Sequence, residues 1–262
     1  MTRTIAGVGV HTCGTHDAGP ALVLLHGNGG DHRDFAAVVE RLAVRHTVHG
    51  IDWPGWGDSA TDRDPTALDY AALLPRVLRG LDGGPFVLVG NSVGGFAAIR
   101  TAATDPELVR ALVLIDPGGF TPRWPGTIVA CRVIGSRRLA RTMMRSLPRL
   151  YLRRTNPFVA ALRAHALELS NDLGRVRTFA SLWRSFALPD HDARHDARGI
   201  TAPTLVLWGR RDPVLPWLVD GRRARRAFAD ARVVTFPCGH QAFAEMPDEF
   251  LEALEPFLAA LG

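Results

Sequence analysis

Two hydrophobic rhythms alternate along this chain. Short apolar runs, bounded by Gly, Pro or polar residues, occupy 21–25, 46–51, 86–89, 111–115, 203–209 and 233–236. Such runs read as strands buried on both faces, because a strand with one wet face would alternate apolar and polar residues. Between them, 35–42 and 68–81 read as helices, as does the Ala-rich segment 96–103. Their apolar residues recur at intervals that line one helix side. Residues 8–12 read as the beginning of an edge hairpin. Strands and helices in turn predict an α/β fold, with a mostly parallel sheet covered by helices on both faces. The alternation stops near Pro117-Gly118-Gly119 and resumes near Ile200. The stretch between them has helical patterning and no strand signal.

Candidate chemistry sits where these runs end. Gly90-Asn91-Ser92-Val93-Gly94-Gly95 follows the run 86–89 and precedes the helical segment at 96–103. Strand, sharp turn and helix in that order fit the G-x-S-x-G elbow, which exposes a serine hydroxyl at a strained turn. Side chains at the flanking glycine positions would collide with the neighbouring strand and helix. Asp212 follows the run 203–209, and His240 follows the run 233–236 within Cys238-Gly239-His240. A serine hydroxyl needs a base to take its proton, and the base needs an acid to orient it. Ser92, Asp212 and His240 supply those groups, each just past the C-terminal end of a predicted strand, where open parallel sheets place their sites.

These residues carry a family resemblance. His26-Gly27-Asn28-Gly29-Gly30 follows the first predicted strand of the alternation, and Asp52-Trp53-Pro54-Gly55-Trp56-Gly57-Asp58-Ser59 follows the second. With the elbow, the Asp212 segment and Gly239-His240 before Glu245-Met246-Pro247, the chain resembles the α/β-hydrolase superfamily over nearly its whole length. The resemblance implies a core of residues 1–117 and 199–262, with a helical cap at 118–198 lying above Ser92. It implies a serine hydrolase in which the backbone N–H groups of Val93 and Asn28, with Gly29 the alternative, form the oxyanion hole. Asp116 also ends a strand, where some members of the superfamily keep their acid; Asp212 is preferred. His26, Asp52 and Asp58 read as braces of their loops.

Charge changes the picture in one place. All 31 basic residues are arginine, and net charge is +5. Fifteen arginines and five acidic residues lie in the predicted cap, leaving it near +10. The other sixteen arginines and twenty-one acidic residues leave the rest near −5. Within the cap, Arg138, Arg141 and Arg145 lie on one side of a predicted helix, and Leu139, Met143 and Leu147 on another. Such a face is solvated, steers an anionic substrate, or touches an anionic membrane, nucleic acid or an acidic partner. No nucleic-acid motif accompanies it, so no nucleic-acid partner is expected. The 47% apolar content suits one buried core, and no apolar run approaches the ~20 residues of a membrane span. Three scattered cysteines and a first segment without signal-peptide character predict free thiols and a cytoplasmic location. Oligomeric state is left open.

The expected substrate is a small molecule, and no cofactor is expected. Ester, thioester or lactone hydrolysis at Ser92 is the leading reading. Asn91, Pro117-Gly118-Gly119 and Cys238-Gly239-His240 also resemble carbon–carbon-bond hydrolases that cleave vinylogous diketone acids. In that family a cap arginine holds the substrate carboxylate, which points to Arg175 or Arg177; Gln241 stands where tryptophan is common. A ligand receptor with slow turnover is a further alternative on this scaffold. Substrate contacts are expected from Asn91, Trp124, Phe179, Trp183 and Gln241. Met143, Met144, Leu150, Phe158, Leu182 and Phe186 are further candidates for the lining. His191-Asp192-Ala193-Arg194, repeated as His195-Asp196-Ala197-Arg198, has ligand-like histidine spacing but no third ligand. It reads as a hinge, and no metal site is expected.

Overall fold

The computed structural model describes residues 1–14, 19–228 and 230–262. Its eight strands are β1 (Thr2–Ile5), β2 (Val8–Cys13), β3 (Leu22–Leu25), β4 (Val48–Ile51), β5 (Phe86–Asn91), β6 (Val109–Ile115), β7 (Thr204–Gly209) and β8 (Arg232–Phe236). They form one sheet in the order β1-β2-β4-β3-β5-β6-β7-β8. From β4 to β8 all neighbours are parallel, while β1, β2 and β4 pair antiparallel. The sequence reading anticipated β2 but not β1, whose Thr2-Arg3-Thr4 start carries little apolar signal.

The central strands show why apolar runs form here. Every residue of β5 is buried. Phe86 and Leu88 point into one core layer, and Val87 and Val89 into the opposite one. The same two-residue alternation divides Val23 and Leu25 from Leu22 and Leu24, and Val206 and Trp208 from Leu205 and Leu207. Each fully buried aliphatic side chain of this kind contributes about 1.5–3 kcal/mol relative to exposure.

Helices cover both layers. Before β5 lie α1 (Val39–Leu42) and α2 (Ala67–Leu78). The helix expected at 35–42 is instead a 3-10 turn, His32–Phe35, followed by α1. The Asp31 carboxylate accepts from Arg33 N and caps that turn. In α2, Thr66 and Asp69 form a capping box, and Tyr70, Leu74 and Val77 turn inward. Helix α3 (Val93–Thr104) follows the elbow and packs against α2 and β5.

Between β6 and β7 the chain contains α4 (Pro125–Ile134), α5 (Ala140–Tyr151), α6 (Pro157–Leu169), α7 (Leu173–Ser185) and α8 (Arg194–Gly199), with no strand. Helix α5 packs on α6 and α7, and α4 on α7. Helices α9 (Arg222–Ala227), α10 (Ala242–Glu245) and α11 (Pro247–Ala259) complete the chain. No helix of the described residues is long and apolar enough to cross a membrane.

Candidate active site

The elbow is built by close approach. Ser92 takes φ +54° and ψ −116°, a conformation that non-glycine residues rarely adopt. A Cβ on Gly90 would lie 2.7 Å from the Gly94 backbone, and one on Gly94 would overlap the Leu25 carbonyl. Ser92 N donates to Ile115 O at 3.1 Å, and Gly118 N donates to Ser92 O at 2.8 Å. The strained serine is therefore pinned from both sides. Helix α3 begins at Val93, so the N–H groups of its first turn have no intrahelical acceptor.

His240 and Asp212 meet although 28 residues separate them. Asp212 Oδ2 lies 2.6 Å from His240 Nδ1, and Oδ1 accepts from Val214 N at 2.7 Å. The His240 loop is held from three directions. His240 N donates to Tyr151 O at 3.0 Å. Asn91 Nδ2 donates to His240 O at 3.1 Å and to Ile115 O at 3.0 Å. Glu245 Oε2 accepts from Gly239 N, Arg153 N and Arg154 N at 3.1, 2.7 and 2.9 Å. Tyr151 and Glu245 thus tie the helical insertion to the histidine loop. Sequence reasoning assigned neither a role. Glu245 was visible in the family pattern, whereas Tyr151 acts through a backbone carbonyl that no side-chain pattern signals.

Asp116 is the second acid at this place. Its backbone φ is +41°, its side chain is fully buried, and it accepts from Gly209 N at 3.0 Å. A carboxylate oxygen from each of Asp116 and Asp212 and a ring nitrogen of His240 all lie within 4.8 Å of one another. Burial, and then the neighbouring Asp212 charge, push the Asp116 carboxyl well above the usual carboxylate range. Protonation of the buried acid is thereby favoured beside an acid that faces the imidazole.

The loop after β3 is braced as expected. His26 Nε2 accepts from Trp53 N at 3.1 Å, and its Nδ1 lies 2.7 Å from Gly27 O. This pairing places the ring proton on Nδ1. Asp52 accepts from the N–H groups of His32 and Asp58 at 2.8 and 2.9 Å, which fits a loop support. Two contacts absent from the sequence reading tie this loop to the helical insertion. Asn28 Nδ2 donates to Phe179 O at 3.3 Å, and the buried Asp31 carboxylate lies 2.7 Å from His165 Nε2. Burial acts to raise the Asp31 pKa, but hydrogen bonds from His165 and Arg33 outweigh it and hold the carboxyl well below its usual range.

Ser92, Val93, Asn28, Gly29, Asn91 and His240 line one cavity of about 310 Å³, roofed by the helical insertion. Of the candidates from the sequence, Phe179, Trp183, Phe186, Met144, Leu150 and Gln241 also line it. Four do not. Trp124 is 58% exposed because it caps the outer end of α4, and Phe158 is exposed at the start of α6. Leu182 and Met143 pack into the core layer instead. Asn91 is in the wall, but its two amide donors are taken up by backbone carbonyls, so it braces the loop rather than offering a donor to substrate.

The expected carboxylate-binding arginines are elsewhere. Arg175 donates to Gly57 O at 3.1 Å, and Arg177 is exposed; neither lines the cavity. Arg177 falls on the side of α7 opposite Phe179, whereas Arg175, one turn before Phe179 on the same side, reaches away to the Gly57 carbonyl. Arg123 is the arginine among the described lining residues. The paired histidines also separate. His191 enters the cavity wall between Phe96 and Phe186, while His195 is exposed. Asp196 instead pairs with Arg100 of α3 at 2.6 Å.

A seryl hydroxyl, an imidazole backed by a carboxylate, and the residues Asn28 and Val93 line one largely apolar cavity. Residues 22–253 match the profile of the alpha/beta hydrolase family. The chain belongs to that family. It is 33% identical over 264 residues to the pimeloyl-[acyl-carrier protein] methyl ester esterase of Xanthomonas campestris pv. campestris, covering 93% of this chain and 96% of the relative. Identity to the Nitrosomonas europaea enzyme of the same name is 31% over 263 residues, covering 96% and 99%. A thermophilic esterase from Thermogutta terrifontis superposes with a TM-score of 0.83 at 21% identity, covering 100% of this chain and 99% of the other. This alpha/beta hydrolase is an enzyme of the carboxylic ester hydrolase type.

Proposed function

We propose that the protein hydrolyses a carboxylic ester of a largely apolar small molecule through an acyl-enzyme on Ser92. The carrying observation is the 2.6 Å contact of Asp212 with His240 Nδ1 beside a cavity that also contains Ser92. Asp212 holds the Nδ1–H tautomer, leaving Nε2 free as base. Nε2 takes the Ser92 proton as Oγ bonds to the ester carbon. The tetrahedral oxyanion receives hydrogen bonds from the N–H groups of Val93 and Asn28, each worth about 2.7–4 kcal/mol. The carbon–alkoxide bond then breaks, and His240 returns the proton to the departing alcohol. Water repeats the sequence to release the acid. Residues 118–198 serve as the cap that encloses this chemistry.

A carrier-linked acyl ester is the finer form of this reading. Two observations favour it: the names of the curated relatives, and the disposition of α5. Its Met144, Leu147 and Pro148 line the cavity, while Arg141, Arg145 and Arg149 face solvent beside it. That face suits an anionic carrier whose acyl arm enters the cavity.

p-Nitrophenyl esters of increasing chain length provide the test. Hydrolysis is expected, with Ser92→Ala reducing kcat by at least about four orders of magnitude. A fluorophosphonate should add one label to the native protein, mapped to Ser92. Undiminished turnover by folded Ser92→Ala protein would overturn the mechanism.

A further inference from the structure

His191 occupies the cavity wall without any part in the proton relay. It ends the 3-10 turn Pro189–His191, which precedes α8. Its ring is sandwiched between Phe96 and Phe186, with centroids 4.4 and 4.8 Å away. Packing of this kind fixes the plane of the ring and leaves its edge to do any polar work. Among the described residues the side chain makes no hydrogen bond. Nδ1 is enclosed without a partner, although buried polar atoms are nearly always paired. The other nitrogen lies beside Gly118, and both residues line the same cavity as Ser92. A Cβ on Gly118 would sit 3.3 Å from His191 Nε2 and 3.4 Å from Ser92 O. Gly118 has no side chain, so no Cβ stands between the imidazole edge and the elbow backbone.

We infer that His191 is a specificity residue whose Nε2–H donates to an oxygen of the substrate close to the scissile carbonyl. The inference rests on the serine-esterase reading and adds a substrate class: esters bearing an ether, hydroxyl or carbonyl oxygen within a few bonds of the reacting carbon. Tautomer choice follows from the two environments. An orphaned buried N–H is rarer than an orphaned acceptor, so the proton belongs on the nitrogen nearer the cavity and the enclosed Nδ1 keeps its lone pair. Burial lowers the ring pKa to about 4, so the imidazole is neutral at neutral pH and can donate to a neutral oxygen without requiring a charged partner. An entirely hydrocarbon chain would leave this donor without a partner when water is displaced, a cost that an oxygenated chain avoids.

The experiment compares p-nitrophenyl hexanoate with its oxa analogues, in which an ether oxygen replaces one CH2 at each chain position in turn. The ratio of kcat/KM for each oxa ester to that for the hexanoate is measured for the native enzyme, His191→Phe and His191→Gln. Intrinsic ester reactivity cancels between enzymes. His191→Phe keeps the aromatic stack and removes the donor; His191→Gln restores a donor near the Nε2 position. At one oxa position the ratio should fall by about threefold to tenfold in His191→Phe and recover in part in His191→Gln. Activity on the plain hexanoate should fall less than activity on that oxa ester. A ratio unaltered by His191→Phe at every oxa position overturns the inference and makes the ring a packing element. Loss on the hexanoate as large as on every oxa ester overturns it likewise. Ser92→Ala is run in parallel: if it retains turnover, the esterase mechanism itself has failed, which is a separate result.

Discussion

At the scale of single residues, Asp116 and Asp212 divide two tasks between chemically identical groups. Asp212 faces His240, whereas Asp116 is buried behind it with its pKa raised by burial and by its neighbour's charge. Asp212→Asn should lower kcat by about four orders of magnitude, because an amide cannot hold the productive tautomer or stabilise an imidazolium. Asp116→Asn keeps an oxygen acceptor for Gly209 N and should retain kcat within a few-fold. A reversed order in steady-state kinetics would exchange the assignments. The same substitution has a stability signature. An unfolded Asp titrates near pH 3.9, while Asp116 in the fold titrates well above its usual value. The native state therefore holds more protons across that interval, and its stability falls as pH rises from about 4 toward the folded pKa. Below pH 4 the group is protonated in both states, so no such loss applies. Relative to native protein, Asp116→Asn should gain in Tm on going from pH 4 to pH 7. Parallel Tm curves would show that Asp116 titrates normally.

At the scale of elements, two glycines in helices should behave oppositely. Gly94 lies in the first turn of α3, where an added Cβ meets the backbone of β3 at Leu25. The elbow brings helix and strand closer than any side chain allows. Gly94→Ala should cost more than about 3 kcal/mol or abolish soluble expression. Gly126 lies in α4 with nothing within 4 Å of an added Cβ. Gly126→Ala should stabilise by up to about 1 kcal/mol through helix propensity alone. Urea denaturation of the two variants separates these cases. Equal small effects would mean that the elbow relaxes to admit a methyl group. This asymmetry was half legible in sequence: the elbow motif predicts close approach around Ser92, whereas openness at Gly126 depends on what α4 leaves uncovered.

At the scale of the whole molecule, charge is polarised across the cavity. The helical stretch 118–198 is near +10 and the remainder near −5. Several of its arginines are paired at the surface, including Arg137 and Arg184 with Asp64 at 3.9 and 3.8 Å. Exposed pairs of this kind are worth about 0–1 kcal/mol and leave the long-range field largely intact. An anionic ester should therefore be captured faster than a neutral one of the same size, and 0.5 M salt should erase much of that advantage. Joint replacement of Arg141, Arg145 and Arg149 by Gln should flatten the salt dependence for the anionic ester while leaving the neutral ester unchanged. Identical salt profiles for both esters would make the charge a solvated surface only.

Strand runs, the elbow and the order Ser92, Asp212, His240 were legible along the chain because each depends on near neighbours. A strand buried on both faces must be apolar throughout, and a tight strand–helix turn must have glycines. Parallel strands then bring their C-terminal loops to one edge, which suffices to gather the three residues. The wall of the cavity follows different rules. Asn28 meets Phe179, Asp31 meets His165, and His240 N meets Tyr151 O, across 151, 134 and 89 positions of chain. Helical spacing tells which residues share a side, not whether that side faces core, cavity or solvent. Trp124 and Phe186 are equally apolar in sequence, yet one is exposed and the other lines the cavity. Arg175 and His191 were read as a carboxylate ligand and part of a hinge. Packing of the helical insertion on the sheet turned the arginine toward Gly57 and set the imidazole in the wall of the cavity that contains Ser92. Local sterics and periodicity thus determined the chemistry, and long-range packing decided what that chemistry can reach.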